Sequence, residues 1–217
     1  GPVFAAAVIL KPHPTIEGLN DSKKLTARRR ELLYDEIIKH AVSYSIAFVD
    51  EKTIDRINIL QATFVAMRAA VDGLKSKPSL ALIDGNRDPH LDGIPTELVV
   101  KGDGKSASIA AASILAKVAR DRAMLALAKE YPEYRFEQHK GYGTKLHYEM
   151  LKAYGISPVH RKSFLKKLDL TGVSTGPLGE AYTASFLQSE GYEILSRNYH
   201  SRYGEIDIVA CKEDMIL

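Results

Sequence analysis

The sequence feature that most restricts the fold is an alternation, over roughly the first 130 residues, of short apolar segments with longer segments of helical periodicity. Short apolar or alternating runs predict strands at 3–10, 42–49, 80–83 and 98–100. Apolar residues at three- and four-residue steps predict helices at 26–40, with Thr26 as the cap, at 58–74 and at 106–129. Strands that alternate with helices are typical of an α/β fold.

A run rich in Gly, Ser and Thr at 171–177 divides the chain. We predict a first domain at 1–168, a linker at 169–177 and a second domain at 178–217. The charge changes sign there, because residues 1–170 carry 27 Lys and Arg against 20 Asp and Glu, whereas residues 171–217 carry 3 against 7. The second domain is predicted to contain a helix at 178–190, strands at 192–198 and 204–210, and the start of a third strand at 215–217.

Composition argues against several classes of protein. The longest apolar stretch, at 3–10, is far shorter than the roughly 20 residues that a membrane helix needs, and no basic segment precedes it as in a signal peptide. The single cysteine, Cys211, cannot form an internal disulfide, so we expect a cytoplasmic protein without a membrane segment. The positive charge of 1–170 indicates either a polyanionic partner, such as nucleic acid, or solvated helix faces.

Two aspartates follow neighbouring predicted strands. Asp84 lies in Leu-Ile-Asp-Gly-Asn-Arg at 82–87, and Asp103 lies in Lys-Gly-Asp-Gly-Lys at 101–105. Ligands bind at the strand ends of open α/β sheets, and two carboxylates that converge there can hold Mg²⁺ or Mn²⁺. Such a site would suit phosphodiester hydrolysis. The alternative is that Asp-Gly and Gly-Asp-Gly simply form turns.

Two further segments have the composition of nucleic-acid contacts. The loop Leu-Asn-Asp-Ser-Lys-Lys-Leu at 19–25 contains Lys23 and either contacts backbone phosphates or is a solvated loop before the helix. In His-Lys-Gly-Tyr-Gly-Thr at 139–144, Tyr142 lies between two glycines beside Lys140. Its ring is expected to be exposed on a flexible loop and to stack on a sugar or base, the alternative being packing at the loop margin.

These segments together resemble bacterial ribonuclease HII. The resemblance covers 1 to about 168, in the family's order, through the stretches Gly-Pro-Val-Phe-Ala-Ala-Ala-Val-Ile-Leu (1–10), Gly-Leu-Asn-Asp-Ser-Lys-Lys-Leu (18–25), Asn-Ile-Leu-Gln-Ala-Thr (58–63), Leu-Ile-Asp-Gly-Asn-Arg (82–87), Val-Val-Lys-Gly-Asp (99–103), Ile-Ala-Ala-Ala-Ser-Ile-Leu-Ala-Lys-Val-Ala-Arg-Asp-Arg (109–122), His-Lys-Gly-Tyr-Gly-Thr (139–144) and His-Arg-Lys-Ser-Phe (160–164). It implies an α/β RNase H-like fold with a mixed central sheet and flanking helices. It also implies Mn²⁺- or Mg²⁺-dependent cleavage of RNA in RNA–DNA hybrids, including single ribonucleotides in duplex DNA.

The resemblance also implies roles for individual residues. Of the four acidic site residues of the family, Asp84 and Asp103 match the third and fourth, so both are expected to be catalytic metal ligands. The tyrosine of the 139–144 loop matches the residue that packs on the sugar at the RNA–DNA junction. The side chains expected to contact nucleic acid are Lys23, Lys101, Lys140 and Tyr142.

One part of the family pattern is absent. In the family, an Asp-Glu pair followed by Gly-Arg-Gly lies just upstream of the Gly-Pro-Val that opens this chain, and it supplies two acidic ligands and the central strand. Neither Asp35-Glu36, inside a predicted helix, nor Asp50-Glu51, without a following Gly-Arg-Gly, replaces it. We therefore expect an amino-terminally truncated member with impaired catalysis. Asp121 matches no metal ligand and is interpreted as a helix surface charge.

The carboxyl-terminal part resembles a second family, the uncharacterised small endonuclease-like proteins of UPF0102. The matching stretches are Gly-Glu-Ala at 179–181, Gly-Tyr-Glu-Ile-Leu-Ser-Arg-Asn-Tyr at 191–199 and Ser-Arg-Tyr-Gly-Glu-Ile-Asp-Ile-Val at 201–209. The resemblance implies a partial restriction-endonuclease-like α/β piece, in which Glu180 and Asp207 are either acidic metal ligands or ordinary surface charges. The family's next strand, with Glu-x-Lys, is absent, so we expect an internal piece of a fusion of the two proteins.

Three functions follow from these patterns. The leading hypothesis is a ribonuclease HII-type endonuclease acting on RNA–DNA hybrid and on duplex DNA that contains a ribonucleotide. The alternatives are a non-catalytic nucleic-acid-binding remnant, and a DNA endonuclease activity of the carboxyl-terminal piece. The upstream acidic pair separates the first two hypotheses, and a downstream Glu-x-Lys strand would support the third.

Overall fold

A computed structural model describes residues 1–12, 16–19, 25–166, 183–184, 187–188, 190–201, 204–212 and 215–216. The chain divides into two compact units, Gly1–Leu127 and Ala128–Leu217. The predicted linker at 169–177 and most of the predicted helix at 178–190 lie outside the described residues, so the domain boundary at 169–177 stays a prediction.

The first unit contains an antiparallel pair of strands. Strand β1 (Val3–Ile9) pairs with β2 (Ser43–Val49), with Val3 opposite Val49 and Ile9 opposite Ser43. Both strands were predicted from their apolar patterns. Because successive side chains of a strand point to opposite faces, each face of this pair packs on its own apolar cluster.

Helices cover both faces of the β1–β2 pair. Helix α1 (Ala27–His40) begins after Thr26, whose hydroxyl accepts the Arg29 N–H at 3.2 Å, so the predicted cap is confirmed. Helix α1 and the long helix α3 (Ala107–Glu130) form one cluster, and helix α2 (Glu51–Asp72) covers the opposite face. The fully buried members are Ile37, Ala111, Ile114 and Leu115 in the first cluster and Ile54, Ala62, Ala66 and Ala70 in the second.

Helix α2 differs from the prediction at its start. The periodic pattern predicts a helix from residue 58, whereas α2 begins at Glu51 because the Asp50 carboxylate accepts the Thr53 N–H at 2.7 Å. Asn58 interrupts the helix with a φ of 67°, and its side chain accepts the Gln61 N–H at 3.1 Å. The second half of α2 therefore has its own cap, and the periodicity detected that half alone.

A second pair of strands in this unit is parallel. Strand β3 (Ala81–Asp84) pairs with β4 (Thr96–Val99), with Asp84 opposite Val99. Among the described residues of this unit, no strand pairs with the other edge of β1 or of β3. A cavity of about 670 Å³ lies between these two strands, with Met67 of α2 and Ile109 of α3 in its lining. The α/β class is confirmed, but the described strands of this unit form two separate ladders, with the cavity between β1 and β3.

The second unit combines short helices with an antiparallel sheet. Helix α4 (Phe136–His139) is followed by α5 (Lys145–Tyr154), which Thr144 caps by accepting the His147 N–H at 3.3 Å. Strands β5 (Glu193–Ser201), β6 (Gly204–Lys212) and β7 (Met215–Ile216) form a three-stranded sheet in chain order, and the sequence pattern predicts the strands but not their order. In the part of the chain that the structure describes, no helix is long and apolar enough to cross a membrane.

Candidate active site

The structure places the two predicted metal ligands at one edge of the β3–β4 pair. Asp84 is the last residue of β3, and Asp103 lies in a 3₁₀ turn (Gly102–Gly104) that follows β4 closely. Because the two strands are parallel, their carboxyl ends share an edge. The Gly102 N–H donates to Asp84 Oδ1 at 2.9 Å and so joins the turn to the end of β3. Asp84 is exposed, whereas Asp103 is only 9% exposed.

The residue types of the turn explain its shape. Lys101 adopts a left-handed conformation, with a φ of 56°, and is exposed. A Cβ on Gly102 would lie 2.5 Å from Ile109 Cδ1, so no larger residue fits against α3 without a shift. The Gly102 carbonyl accepts the Ser106 N–H at 2.8 Å just before α3 begins. These contacts fix the position of Asp103 relative to β4.

The donor set at this edge fits a divalent cation in type but not in number. Carboxylate oxygens are the ligands that Mg²⁺ and Mn²⁺ prefer. Among the described residues, however, no group of three or more His, Cys, Asp or Glu side chains could hold a metal ion. The metal-ligand role of Asp84 and Asp103 therefore stays a prediction.

The predicted aromatic contact lies in the second unit. Tyr142 occupies the loop between α4 and α5, and its side chain is 51% exposed, so the predicted exposure is confirmed. Hydrogen bonds hold both backbone groups of this residue, and the predicted flexibility of the loop stays a prediction. The Tyr142 N–H donates to the His139 carbonyl at 2.9 Å, and its own carbonyl accepts from the Thr144 N–H at 2.8 Å and from His147 Nδ1 at 2.9 Å.

The structure describes some of the remaining predicted site residues and not others. Lys140 is half-buried, and its ammonium donates to the Glu137 carbonyl within the same turn. Its predicted phosphate contact, like that of Lys101, stays a prediction. Lys23 and Glu180 lie outside the described residues. The backbone of Asp207 is described, but its side chain is not.

The interpretation of Asp121 as a helix surface charge is wrong. Its side chain is 17% exposed and lies 2.7 Å from Lys117 Nζ, 3.7 Å from Arg120 Nη1 and 3.9 Å from Arg30 Nη2 of α1. The side of α3 that carries Asp121 therefore faces α1 rather than solvent. Asp121 is the centre of an ion-pair network that links these two helices.

Sequence reasoning missed a cluster of histidines beside the Tyr142 loop. His139, His147 and His160 are all buried in the second unit. In the sequence they are separated by 8 and 13 residues, and each one alone is typical of a buried core histidine. Their contacts form only when α4, α5 and the following loop fold together, so no local sequence pattern predicts the cluster.

Comparison with known proteins identifies the family of the chain. The profile of the family described as Ribonuclease HII matches residues 1–167. The chain belongs to the ribonuclease HII family. Ribonuclease HII of Caldicellulosiruptor bescii is 54% identical over 168 residues, which cover 77% of this chain and 81% of that protein. Ribonuclease HII of Janthinobacterium sp. (strain Marseille) is 56% identical over 172 residues, with 79% and 81% covered.

Solved structures agree with this assignment. Ribonuclease H2 of Pyrococcus horikoshii OT3 superimposes with a TM-score of 0.59 at 26% identity, over 75% of this chain and 93% of that one. Ribonuclease HII of Archaeoglobus fulgidus, solved in complex with PCNA, has a TM-score of 0.64 at 23% identity over 80% and 91%, and supports the fold alone. Both neighbours confirm the predicted ribonuclease HII fold.

The carboxyl-terminal resemblance is confirmed as well, since the profile described as Uncharacterised protein family UPF0102 matches residues 179–217. Ribonuclease HII is a type II ribonuclease H, an endonuclease that generally uses a divalent metal. The match to this family covers the larger part of the chain.

Proposed function

We propose that this chain acts on RNA–DNA hybrid and on duplex DNA containing single ribonucleotides, and that Asp84 and Asp103 are half of the ligand set for cleavage on the 5′ side of the ribonucleotide. The observation that carries the proposal is the position of both aspartates at the carboxyl edge of β3 and β4. It occurs in a chain that is 54–56% identical to two proteins named Ribonuclease HII.

The protein's own groups prepare this edge for a cation. The Gly102 N–H binds Asp84 Oδ1, which orients the carboxylate and leaves Oδ2 for a cation. The 3₁₀ turn holds Asp103 in a largely buried position, so its charge lies in a medium less polar than water. When bound, Mn²⁺ or Mg²⁺ activates water and stabilises the leaving oxygen.

We further propose that a protein of these 217 residues cleaves its substrate weakly. Support comes from the described residues, in which no three acidic or imidazole side chains converge on a metal position. The same observation favours a second candidate function, nucleic-acid binding without catalysis. The basic balance of 1–170 would serve either role.

The test is a cleavage assay on a labelled duplex with one ribonucleotide, in Mn²⁺ and in Mg²⁺. It compares residues 1–217 with a version extended upstream by an Asp-Glu and Gly-Arg-Gly strand. We expect efficient cleavage from the extended version alone, and its loss on Asp84→Asn but not on Asp72→Asn, a control at an exposed position at the end of α2.

Two results would contradict the proposal. Equal cleavage by both versions would mean that other residues supply the site. Failure of both versions to bind hybrid duplex at low salt would remove nucleic acid as the substrate class. Binding by both, with cleavage by neither, would favour the non-catalytic function.

A further inference from the structure

The histidine cluster of the second unit is buried directly against the loop that exposes Tyr142. His139, His147 and His160 are each 5–6% exposed. The rings of the first two stack with centroids 4.3 Å apart, and Phe136 packs against all three at 5.4–6.0 Å. Buried polar groups are hydrogen-bonded in folded proteins, so the partner of each ring nitrogen shows where the proton lies.

The partners assign a single tautomer to His147 and to His160. A backbone carbonyl can only accept, so His147 Nδ1, 2.9 Å from the Tyr142 carbonyl, carries the proton. A backbone N–H can only donate, so His160 Nδ1, 3.1 Å from the Ser157 nitrogen, is the acceptor and Nε2 carries the proton. The two Nε2 atoms lie 3.0 Å apart, and the proton of His160 is donated to His147.

The Tyr142 carbonyl excludes the reverse arrangement, because a proton on His147 Nε2 would leave Nδ1 with nothing to donate to it. At the other end, the Ser157 N–H and the Ser157 hydroxyl both lie against His160 Nδ1, at 3.1 and 2.6 Å, and a proton on that nitrogen would face the N–H. Both rings are neutral at pH 7, because burial lowers the pKa of His147 to about 4 and that of His160 to about 3. Each hydrogen bond therefore points the same way: Ser157 donates to His160, His160 donates to His147, and His147 donates to the Tyr142 carbonyl.

The loop needs such a restraint because its backbone is unusual. Lys140 and Gly141 are both left-handed, with φ of 50° and 74°, a conformation that residues other than glycine rarely adopt. His139 Nδ1 accepts the Gly141 N–H at 3.1 Å, so a second imidazole binds the same turn. The imidazoles thus fix the backbone on both sides of Tyr142, while its ring stays exposed.

We propose that His147 is a positioning residue, whose Nδ1–H holds Tyr142 in the orientation that contacts nucleic acid, and that Ser157 and His160 fix its proton on that nitrogen. This inference rests on the nucleic-acid contact proposed for Tyr142. We call Ser157, His160 and His147 the histidine relay. None of these three residues contacts substrate in this scheme, because all are buried. They act through the loop backbone.

The experiment replaces His147 with Asn in one variant and with Gln in another. Each variant can keep one of the two hydrogen bonds of the imidazole ring. In His147→Asn the amide N–H lies near the position of Nδ1 and can still donate to Tyr142. In His147→Gln the amide lies near the position of Nε2, so the bond to His160 can persist while the bond to Tyr142 is lost. We expect His147→Gln to weaken binding of a hybrid duplex and to accelerate amide exchange at Thr144 by roughly three- to tenfold, the scale of one hydrogen bond. His147→Asn should stay within about twofold of the unmodified chain.

The controls separate this inference from the proposed function. Tyr142→Ala tests the contact itself, and if it leaves binding unchanged the proposed contact fails while the exchange comparison still decides on the relay. Equal exchange in the two His147 variants overturns the relay. Should either variant fail to fold by circular dichroism, nitrogen NMR of the unmodified chain decides, since the relay requires protons on His147 Nδ1 and His160 Nε2. Detection of the opposite tautomers overturns it.

Discussion

Acidification should destabilise the second unit through His147 and His160. Their pKa values lie at about 4 and about 3 in the folded protein, against 6.5 for a free histidine, because burial disfavours the charged ring. The unfolded chain therefore takes up protons first as the pH falls. The stabilisation is complete above about pH 6.5 and is lost as the pH falls through the folded-state values. Since one pKa unit corresponds to about 1.4 kcal/mol, each histidine should account for a loss of about 2 kcal/mol between pH 8 and pH 5.

The assay is urea unfolding followed by circular dichroism from pH 5 to pH 8, because the chain has no tryptophan for fluorescence. The control is the double variant His147→Asn, His160→Gln, in which neither position titrates. Carboxylates titrate equally in both proteins, so the difference in slope isolates the two histidines. We expect the unmodified chain to lose about 2.7 kcal/mol more per pH unit near pH 5, the effect of two protons. The same pH dependence in both proteins would refute the reasoning.

Three further predictions concern the two candidate contact regions. Gly102→Ala should lower the free energy of unfolding by about 1–3 kcal/mol, because its Cβ would collide with Ile109. Gly104→Ala, whose Cβ would have no atom within 4 Å, should change the free energy of unfolding by less, and urea titration measures both. Tyr142→Ala should weaken binding of hybrid duplex by roughly 1–3 kcal/mol in a fluorescence anisotropy titration, the scale of a base-stacking contact, and an unchanged affinity would exclude the contact. Lys101→Ala should reduce the slope of log affinity against log salt by about one if the side chain binds a phosphate, and an unaltered slope would exclude that role.

The sequence predicted the local elements well, because their causes are local. The apolar alternation of β1 and β2 and the hydroxyl cap of Thr26 depend on neighbouring residues alone. The start of α2 was missed because its first half carries a cap but little apolar periodicity before Asn58. Chain pattern also placed Asp84 and Asp103 after neighbouring strands, and the parallel pairing brings the two strand ends to one edge.

Features that depend on distant contacts could not be predicted. Asp121 looked like a surface charge because nothing in its own helix shows that Arg30 of α1 lies opposite. The histidine relay and its acceptor span 18 positions, from Tyr142 to His160, and no sequence motif shows which ring nitrogens carry the protons. Physical chemistry explains both, but only after the tertiary contacts are known.

The gap between β1 and β3 also bears on the cooperativity of unfolding. A strand spanning the gap would couple the two ladders by hydrogen bonds, but among the described residues no strand pairs with both of them. The β3–β4 ladder has four residues in each strand, and Leu82 and Leu98 are 37% and 41% exposed. We expect such a ladder to open locally at a lower free energy than the whole unit. Asp84 therefore belongs to the segment that is expected to lose its geometry first, long before the first unit unfolds as a whole.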